Sequence, residues 1–308
     1  MSTNKFKIAV VQAAPVFLDL DASIAKACKF IKEAAKNGAK LVLFPEAFIP
    51  GYPDWIWNVP AGNIALHQKL YAKLLKNSMS IDGLHVKKLS KTAKKYDITV
   101  VIGINEKSKS KGSIYNTILF INHNGKLLGH HQKLIPTLAE RMIWSYGSPS
   151  TLNVFHTKTG TIGSLTCWEN YMPLVRYTLY TQGIEIYMAP TYDESAVWQA
   201  SMCHIAREGG VYVLSTSMAY KKSDILAKLP ELKKYYKDVG EWVNQGNSII
   251  VAPGGNIIAG PLNKKEDILY AKVNIKKTKE VKWNLDVSGH YSRPDAFSLH
   301  VKQVESKY

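Results

Sequence analysis

Short apolar runs of strand length recur along the chain: FKIAVVQA, KLVLFP, ITVVIGI, NTILFIN, TIGSLTC, IEIYMAP, VYVLSTS, NSIIVAP and ILYAKVNI. Between them the apolar spacing lengthens to three and four residues, the period of a helix with one buried face. In DASIAKACKFIKEAAKNG, the residues Ile24, Ala27, Cys28, Ile31, Ala34 and Ala35 share such a face, with Asp21 expected to cap the start and Gly38 to end it. Cys28 lies inside that stripe and reads as a core thiol. Two further helices are expected. One runs from Pro173, a first-turn proline, to Gln182 with Gly183 as its stop; the other runs from Ser195, its cap, to Glu208, before Gly209 and Gly210. Hairpin turns are expected at Asn124-Gly125 and at Gly254-Gly255.

Alternating strands and helices closed by a hairpin thus occur twice. This pattern predicts two related halves whose sheets pack face to face with helices outside. No Gly/Ser/Pro-rich linker separates the halves, so residues 1–276 are expected to form one domain, with residues 277–308 as a C-terminal extension that forms an interface.

Composition narrows the class without changing that architecture. The 308 residues are 46% hydrophobic and 21% charged, the balance of a globular protein with a large core. A net charge of +16 raises nucleic acid or an anionic membrane as partners. The lysines are dispersed, as in KKSDILAKLPELKKYYKD, and form no nucleic-acid-reading module, so a solvated surface is expected and neither partner is. No apolar run reaches the roughly 18 residues of a membrane helix. The early patch IAVVQAAP contains Gln12 and reads as the first strand, not as a signal peptide. Cys28, Cys167 and Cys203 cannot all pair and lack zinc-ligand spacing, which predicts a reducing, cytoplasmic location and no metal.

Candidate chemistry gathers where strands end. Cys167 closes TIGSLTC before the Pro173 helix; Glu46 follows Pro45 after KLVLF; Lys133 leaves the hairpin in LLGHHQKLIPT. Ligands bind at the carboxyl ends of strands in open α/β sheets. A carboxylate can take a thiol proton while an ammonium stabilises the anion, so these three residue types together support nucleophilic catalysis without histidine. Taken singly, each has a plainer reading: a core cysteine, a loop glutamate, a solvated lysine.

The segments LVLFPEAFIPGYP, HHQKLIPTLAERMIW and GSLTCWENYMPLVRYTLYTQGIEIYMAP resemble the Glu, Lys and Cys segments of the nitrilase superfamily, in that order. APTYDESAVWQASMCHIAREGG and VSGHYSRPDAFSL are similar to nitrilase segments too, so the resemblance runs from about Lys7 to Leu299. Trp168, Glu169 and Asn170 after the cysteine resemble the nitrilase branch itself. The resemblance implies an α/β fold, a four-layer α-β-β-α sandwich of two similar halves. It also implies a triad of Glu46, Lys133 and Cys167, with Glu140 of AERMIW as an orienting or proton-relaying group. The implied reaction takes a small-molecule nitrile to the acid and ammonia through a thioimidate and a thioester, with no metal or organic cofactor.

Phe48, Tyr52, Trp55, Trp57, Trp144, Trp168, Tyr192 and Trp198 are candidates for an apolar pocket, and Tyr52, Trp168 and Tyr192, which adjoin the strand ends, are the expected substrate contacts. Cys203 and His204 lie on a helix and read as packing residues. The family resemblance also implies a homo-oligomer built from dimers through outer helices, with spiral assemblies as a larger form. Leu174, Tyr177, Leu179, Tyr180, Trp198 and Met202 on the Pro173 and Ser195 helices offer more apolar surface than one sheet face needs. The alternatives are an amidase or a nitrile- or cyanide-hydrating relative of the same superfamily and, outside enzymes, a basic binding protein that retains the fold.

Overall fold

The structure, a computed structural model, describes residues 4–110 and 112–302. The expected extension is therefore described as far as Lys302, and its last six residues, 303–308, lie outside the described residues. The first sheet contains β1 (Lys5–Gln12), β2 (Ala39–Leu43), β3 (Thr99–Lys107), β4 (Ile114–Ile121) and β5 (Leu127–Gln132). The second contains β6 (Phe155–Thr157), β7 (Gly160–Ser164), β8 (Ile186–Pro190), β9 (Tyr212–Thr216), β10 (Ala219–Lys221), β11 (Trp242–Val251) and β12 (Ile257–Asn263). A late strand, β13 (Asp267–Asn274), returns to pair antiparallel with β1 at the edge of the first sheet. In one half β1, β2 and β3 run parallel and the β4–β5 hairpin turns back. In the other, β7, β8 and β9 run parallel, β11 is antiparallel, and the β11–β12 hairpin follows. The two halves therefore repeat one topology.

Strand alternation places the layers, because successive side chains of a strand point to opposite faces. In β1, Ile8 and Val10 turn inward and join Leu41, Leu43, Val101 and Phe120 against Ile186, Met188, Leu214 and Ile250 of the second sheet. Ala9 and Val11 turn outward with Val42, Val100 and Ile102, beneath α1 (Leu20–Lys36), which buries Ile24, Ala27 and Ile31 there. After the short α2 (Trp55–Asn58) and α3 (Ile64–Asn77) comes α4 (Leu84–Tyr96), which covers the same face with Val86, Leu89 and Ala93. The outer face of the second sheet is covered by α5 (Pro173–Thr181) and α6 (Ala196–Gly209). The order is helix, sheet, sheet, helix, as expected. Next in the chain are α7 (Lys222–Lys228) and, after β13, α8 (Lys276–Val281).

Three local expectations are corrected. The cap of α1 is Asp19, whose Oδ1 accepts from Ala22 N at 3.1 Å, and Asp21 sits inside the first turn instead. Cys167 does not close a strand: β7 stops at Ser164, and Cys167 opens a 3₁₀ turn. Leu179, Tyr180, Trp198 and Met202 do not form surplus surface, because the second sheet buries all four. Leu174 and Val197 remain exposed on those helices, and Trp283, Tyr291 and Phe297 are exposed in the segment after α8. Among the described residues, no helix is long and apolar enough to cross a membrane.

Candidate active site

Glu46 follows β2, Lys133 follows β5, and Cys167 begins three residues after β7. β5 is antiparallel to β4, and β4 to β3, so it runs parallel with β2 and delivers Lys133 to the same end of the sheet as Glu46. Two glycines make the close approaches possible. A Cβ at Gly103 of β3 would meet Pro45 O at 2.2 Å and Ala47 N at 2.6 Å; one at Gly147 would meet Lys133 O at 2.6 Å.

Lys133 Nζ lies 3.0 Å from Glu46 Oε1 and 2.7 Å from Glu140 Oε2, and all three side chains are buried. Glu140 stands on a 3₁₀ turn (Leu138–Met142) whose capping box also gives its Oε2 the Thr137 N–H at 2.7 Å. Its Oε1 accepts from the Tyr52 hydroxyl at 2.8 Å. Glu46 Oε1 also accepts from Asn116 Nδ2 at 2.7 Å, while its buried Oε2 has no hydrogen-bond partner among the described residues. That oxygen is free to act as a base. Cys167 has φ 52°, the left-handed region that costs a residue with a Cβ, so the turn holds the thiol in an enforced orientation. The Thr191 hydroxyl donates to Cys167 Sγ at 3.2 Å.

The charges explain how the thiol is set. Burial pushes the Glu46 carboxyl up, and Glu140 adds to this against the pull of Lys133, bringing it to about 7. Burial, and after it the Glu46 charge, pushes the Cys167 thiol up to about 12 although Lys133 opposes both. Burial alone would lower Lys133, but the Glu140 and Glu46 carboxylates outweigh it and keep the ammonium above its ordinary range. The resting site therefore holds a neutral thiol, a permanent ammonium and a carboxylate that titrates near neutral pH. Such a set favours proton transfer during nucleophilic attack over a standing thiolate.

Of the expected substrate contacts, Tyr52 and Tyr192 stack with ring centroids 3.8 Å apart and planes 3° from parallel. The Tyr192 hydroxyl donates to buried Asp54, which also receives the Tyr236 hydroxyl, at 2.9 and 2.6 Å. Trp168 is half-exposed, and its Nε1 donates to Asp193 at 2.9 Å. It borders a depression of about 260 Å³ with Ile135, Thr137, Leu138, Arg141 and Met172. Trp55 and Trp198 are buried core, whereas Trp57 donates to the Tyr52 hydroxyl.

Several supporting residues were not legible as such in the sequence. Glu169 accepts from Thr166 N and Leu134 N, both at 2.9 Å, and lies 3.0 Å from His131 Nε2. One buried carboxylate thus joins the segment beside Lys133 to the segment beside Cys167. Asn170 Nδ2 donates to Cys167 O at 2.8 Å and closes the turn. The signal for Asn116 was its place as a polar residue in the apolar strand IYNTILFI; for Thr191 there was none beyond its position after Pro190.

Comparison with known proteins adds the family. The carbon-nitrogen hydrolase family matches residues 7–282. The chain is 40% identical over 305 residues to a bifunctional nitrilase/nitrile hydratase of Nicotiana tabacum, covering 98% of this chain and 87% of that protein. It is 40% identical over 317 residues to Nitrilase 3 of Arabidopsis thaliana, covering 99% and 89%. A nitrilase-superfamily member from Saccharomyces cerevisiae, 24% identical, shares the fold with a TM-score of 0.73 over 93% of this chain and 96% of its own. The NitFhit protein of C. elegans, 19% identical, does so with a TM-score of 0.76 over 98% and 68%.

Proposed function

The chain belongs to the carbon-nitrogen hydrolase family, and from that premise we propose that it is a nitrilase, hydrolysing an organic nitrile to the carboxylic acid and ammonia on Cys167. The observation that carries this reading is the Lys133 ammonium, fixed between two buried carboxylates and acting on the same thiol that feels both.

Cys167 Sγ attacks the nitrile carbon while its proton passes through Glu46 to nitrogen, forming a thioimidate. Glu46 then takes a proton from water as the oxygen adds to that carbon, and nitrogen receives the proton. Ammonia leaves, a thioester remains, and a second water releases the acid and the thiol. Lys133, with the backbone N–H of Trp168, faces the charge that develops on nitrogen and then on oxygen. Glu140 holds Lys133 in place for both steps. Each of these steps is carried by the chain's own groups, so the scheme calls on no metal or organic cofactor. Tyr52, Trp168 and Tyr192 form the wall against which the substrate's R group rests.

The same reading takes residues 1–276 as the hydrolase domain and residues 277–308 as an interface-forming extension. The protein assembles from dimers through the outer helices and that extension, where exposed Leu174, Val197, Trp283, Tyr291 and Phe297 await cover. Three free thiols suit a reducing cytoplasm. A panel of aliphatic, aromatic and arylaceto-nitriles, scored for ammonia, acid and amide, tests the activity. Ammonia release lost in Cys167→Ala is expected; a panel with no turnover at all would overturn the reading.

A further inference from the structure

Thr191 begins directly after β8, and its backbone N–H donates to Thr216 O at 2.9 Å, so its position is fixed by the sheet. Its hydroxyl oxygen accepts the Asp193 N–H at 2.9 Å, and its proton is directed at Cys167 Sγ, 3.2 Å away. The side chain is buried, and in such surroundings a hydrogen bond is electrostatically stronger than in water. Asp193 is itself tied on both sides, accepting from Trp168 Nε1 and from Ser195 N, each at 2.9 Å. The donor is thus built into the scaffold and points at the atom that must both form and break a bond to carbon.

We propose that Thr191 is a catalytic residue whose hydroxyl steers the tetrahedral intermediate towards C–S cleavage, so that the enzyme releases amide alongside acid. This inference rests on the nitrilase reading. The intermediate carries the Cys167 sulfur, a hydroxyl and an amino group on one carbon. If the C–N bond breaks, the hydroxyl proton is delivered to nitrogen, ammonia departs and the thioester is left. If the C–S bond breaks, that proton is delivered to sulfur, and the amide departs from a restored thiol. Charge builds on sulfur only in the second path, so a donor aimed at sulfur lowers that barrier selectively. The later thioester intermediate has no nitrogen, and it too must expel sulfur; the same donor therefore speeds release of the acid.

Thr191→Val keeps the shape and removes the donor, while Thr191→Ser keeps the donor. One hydrogen bond to a developing charge is worth roughly tenfold or more in rate. Using whichever nitrile of the panel the wild type turns over best, Thr191→Val is expected to lower the amide-to-acid ratio about tenfold. It should also raise the acyl-enzyme fraction seen by mass spectrometry of quenched protein, and Thr191→Ser should restore both. Should the valine variant fail to fold by circular dichroism, Thr191→Ala carries the same comparison. An unchanged or higher amide ratio in the donorless variant, or a wild type that makes acid with no amide, would overturn the inference and leave the nitrilase reading standing. A wild type inert to every nitrile would overturn both.

Discussion

The Lys133 ammonium sits closer to Glu140, at 2.7 Å, than to Glu46, at 3.0 Å. Glu140 is thereby the anchor of the lysine, and its charge is one reason the Glu46 pKa stands at about 7. Glu140→Gln removes that like charge and leaves the ammonium to Glu46 alone, so the Glu46 pKa falls. The acid limb of kcat/KM should move to lower pH, with kcat reduced on the order of ten- to a hundredfold as Lys133 loses a charged partner. An acid limb at the wild-type position would show that the Glu140 charge does not set the Glu46 pKa.

Glu46 works as a base only when ionised. Wild-type kcat/KM should therefore rise with pH and level off above about 7, the value to which burial brings this group. Glu46→Gln should abolish that limb and cost on the order of a hundred- to ten-thousandfold in turnover. It should also stabilise the fold at alkaline pH. A group with a raised folded pKa contributes stability below its unfolded value and loses it as pH rises through the folded one, and glutamine carries no buried charge. Near-wild-type turnover would shift the base to Glu140.

Cys167→Ala should abolish hydrolysis with the fold intact, since alanine brings the same Cβ to the left-handed position. Cys28→Ala and Cys203→Ala should keep most activity. Alkylation followed by peptide mass mapping checks the assignment, which fails if the activity-linked thiol is Cys28 or Cys203.

The buried Glu169 carboxylate predicts acid-sensitive stability. Burial raises its pKa, but His131 and the backbone N–H groups of Thr166 and Leu134 overcome that and hold it below the usual range. Its contribution is present above the unfolded pKa and is lost as pH falls through the folded one. Glu169→Ala should cost about 3–5 kcal/mol near neutral pH by leaving its partners unpaired. Urea unfolding at several pH values measures this; a variant with the wild-type midpoint at neutral pH would contradict it.

Trp283, exposed at 85%, and Leu174, at 66%, predict a homo-oligomer. Light scattering over a wide concentration range should find dimers or larger assemblies, and Trp283→Asp should shift the distribution to smaller species. A wild type that remains monomeric throughout rules the interface out.

Much of this arrangement was legible beforehand because it depends on neighbours in the chain. The α1 face followed from spacing alone, and the Asn124-Gly125 and Gly254-Gly255 turns joined antiparallel strands as expected. The cap of α1 was misplaced by two residues because Asp19 and Asp21 both qualify by type, and only the chain's entry angle selects Asp19. TIGSLTC read as one strand to its cysteine, yet pairing with β8 ends at Ser164, and the 3₁₀ turn that follows, in which the Thr166 N–H donates to Glu169 Oε2, bends the chain. Among the aromatics, composition alone could not separate pocket from core: Trp198 was one of eight pocket candidates, but it is buried and its Nε1 donates to Ser215 of the second sheet.

The sequence by itself determined the two-fold repeat of strands and helices and the order Glu46, Lys133, Cys167 at the ends of their segments. Those are local properties, set by periodicity, turn residues and strand length. Only the tertiary structure decided that Lys133 lies between Glu46, 87 residues before it, and Glu140, seven after it. It also decided that Glu169 ties the lysine and cysteine segments together and that Thr191 aims its proton at the sulfur. The physical reason is that desolvation and hydrogen-bond direction arise only when distant segments close out water. The same carboxylate that titrates near 4.5 on an open chain therefore becomes, at Glu46, a base poised near 7.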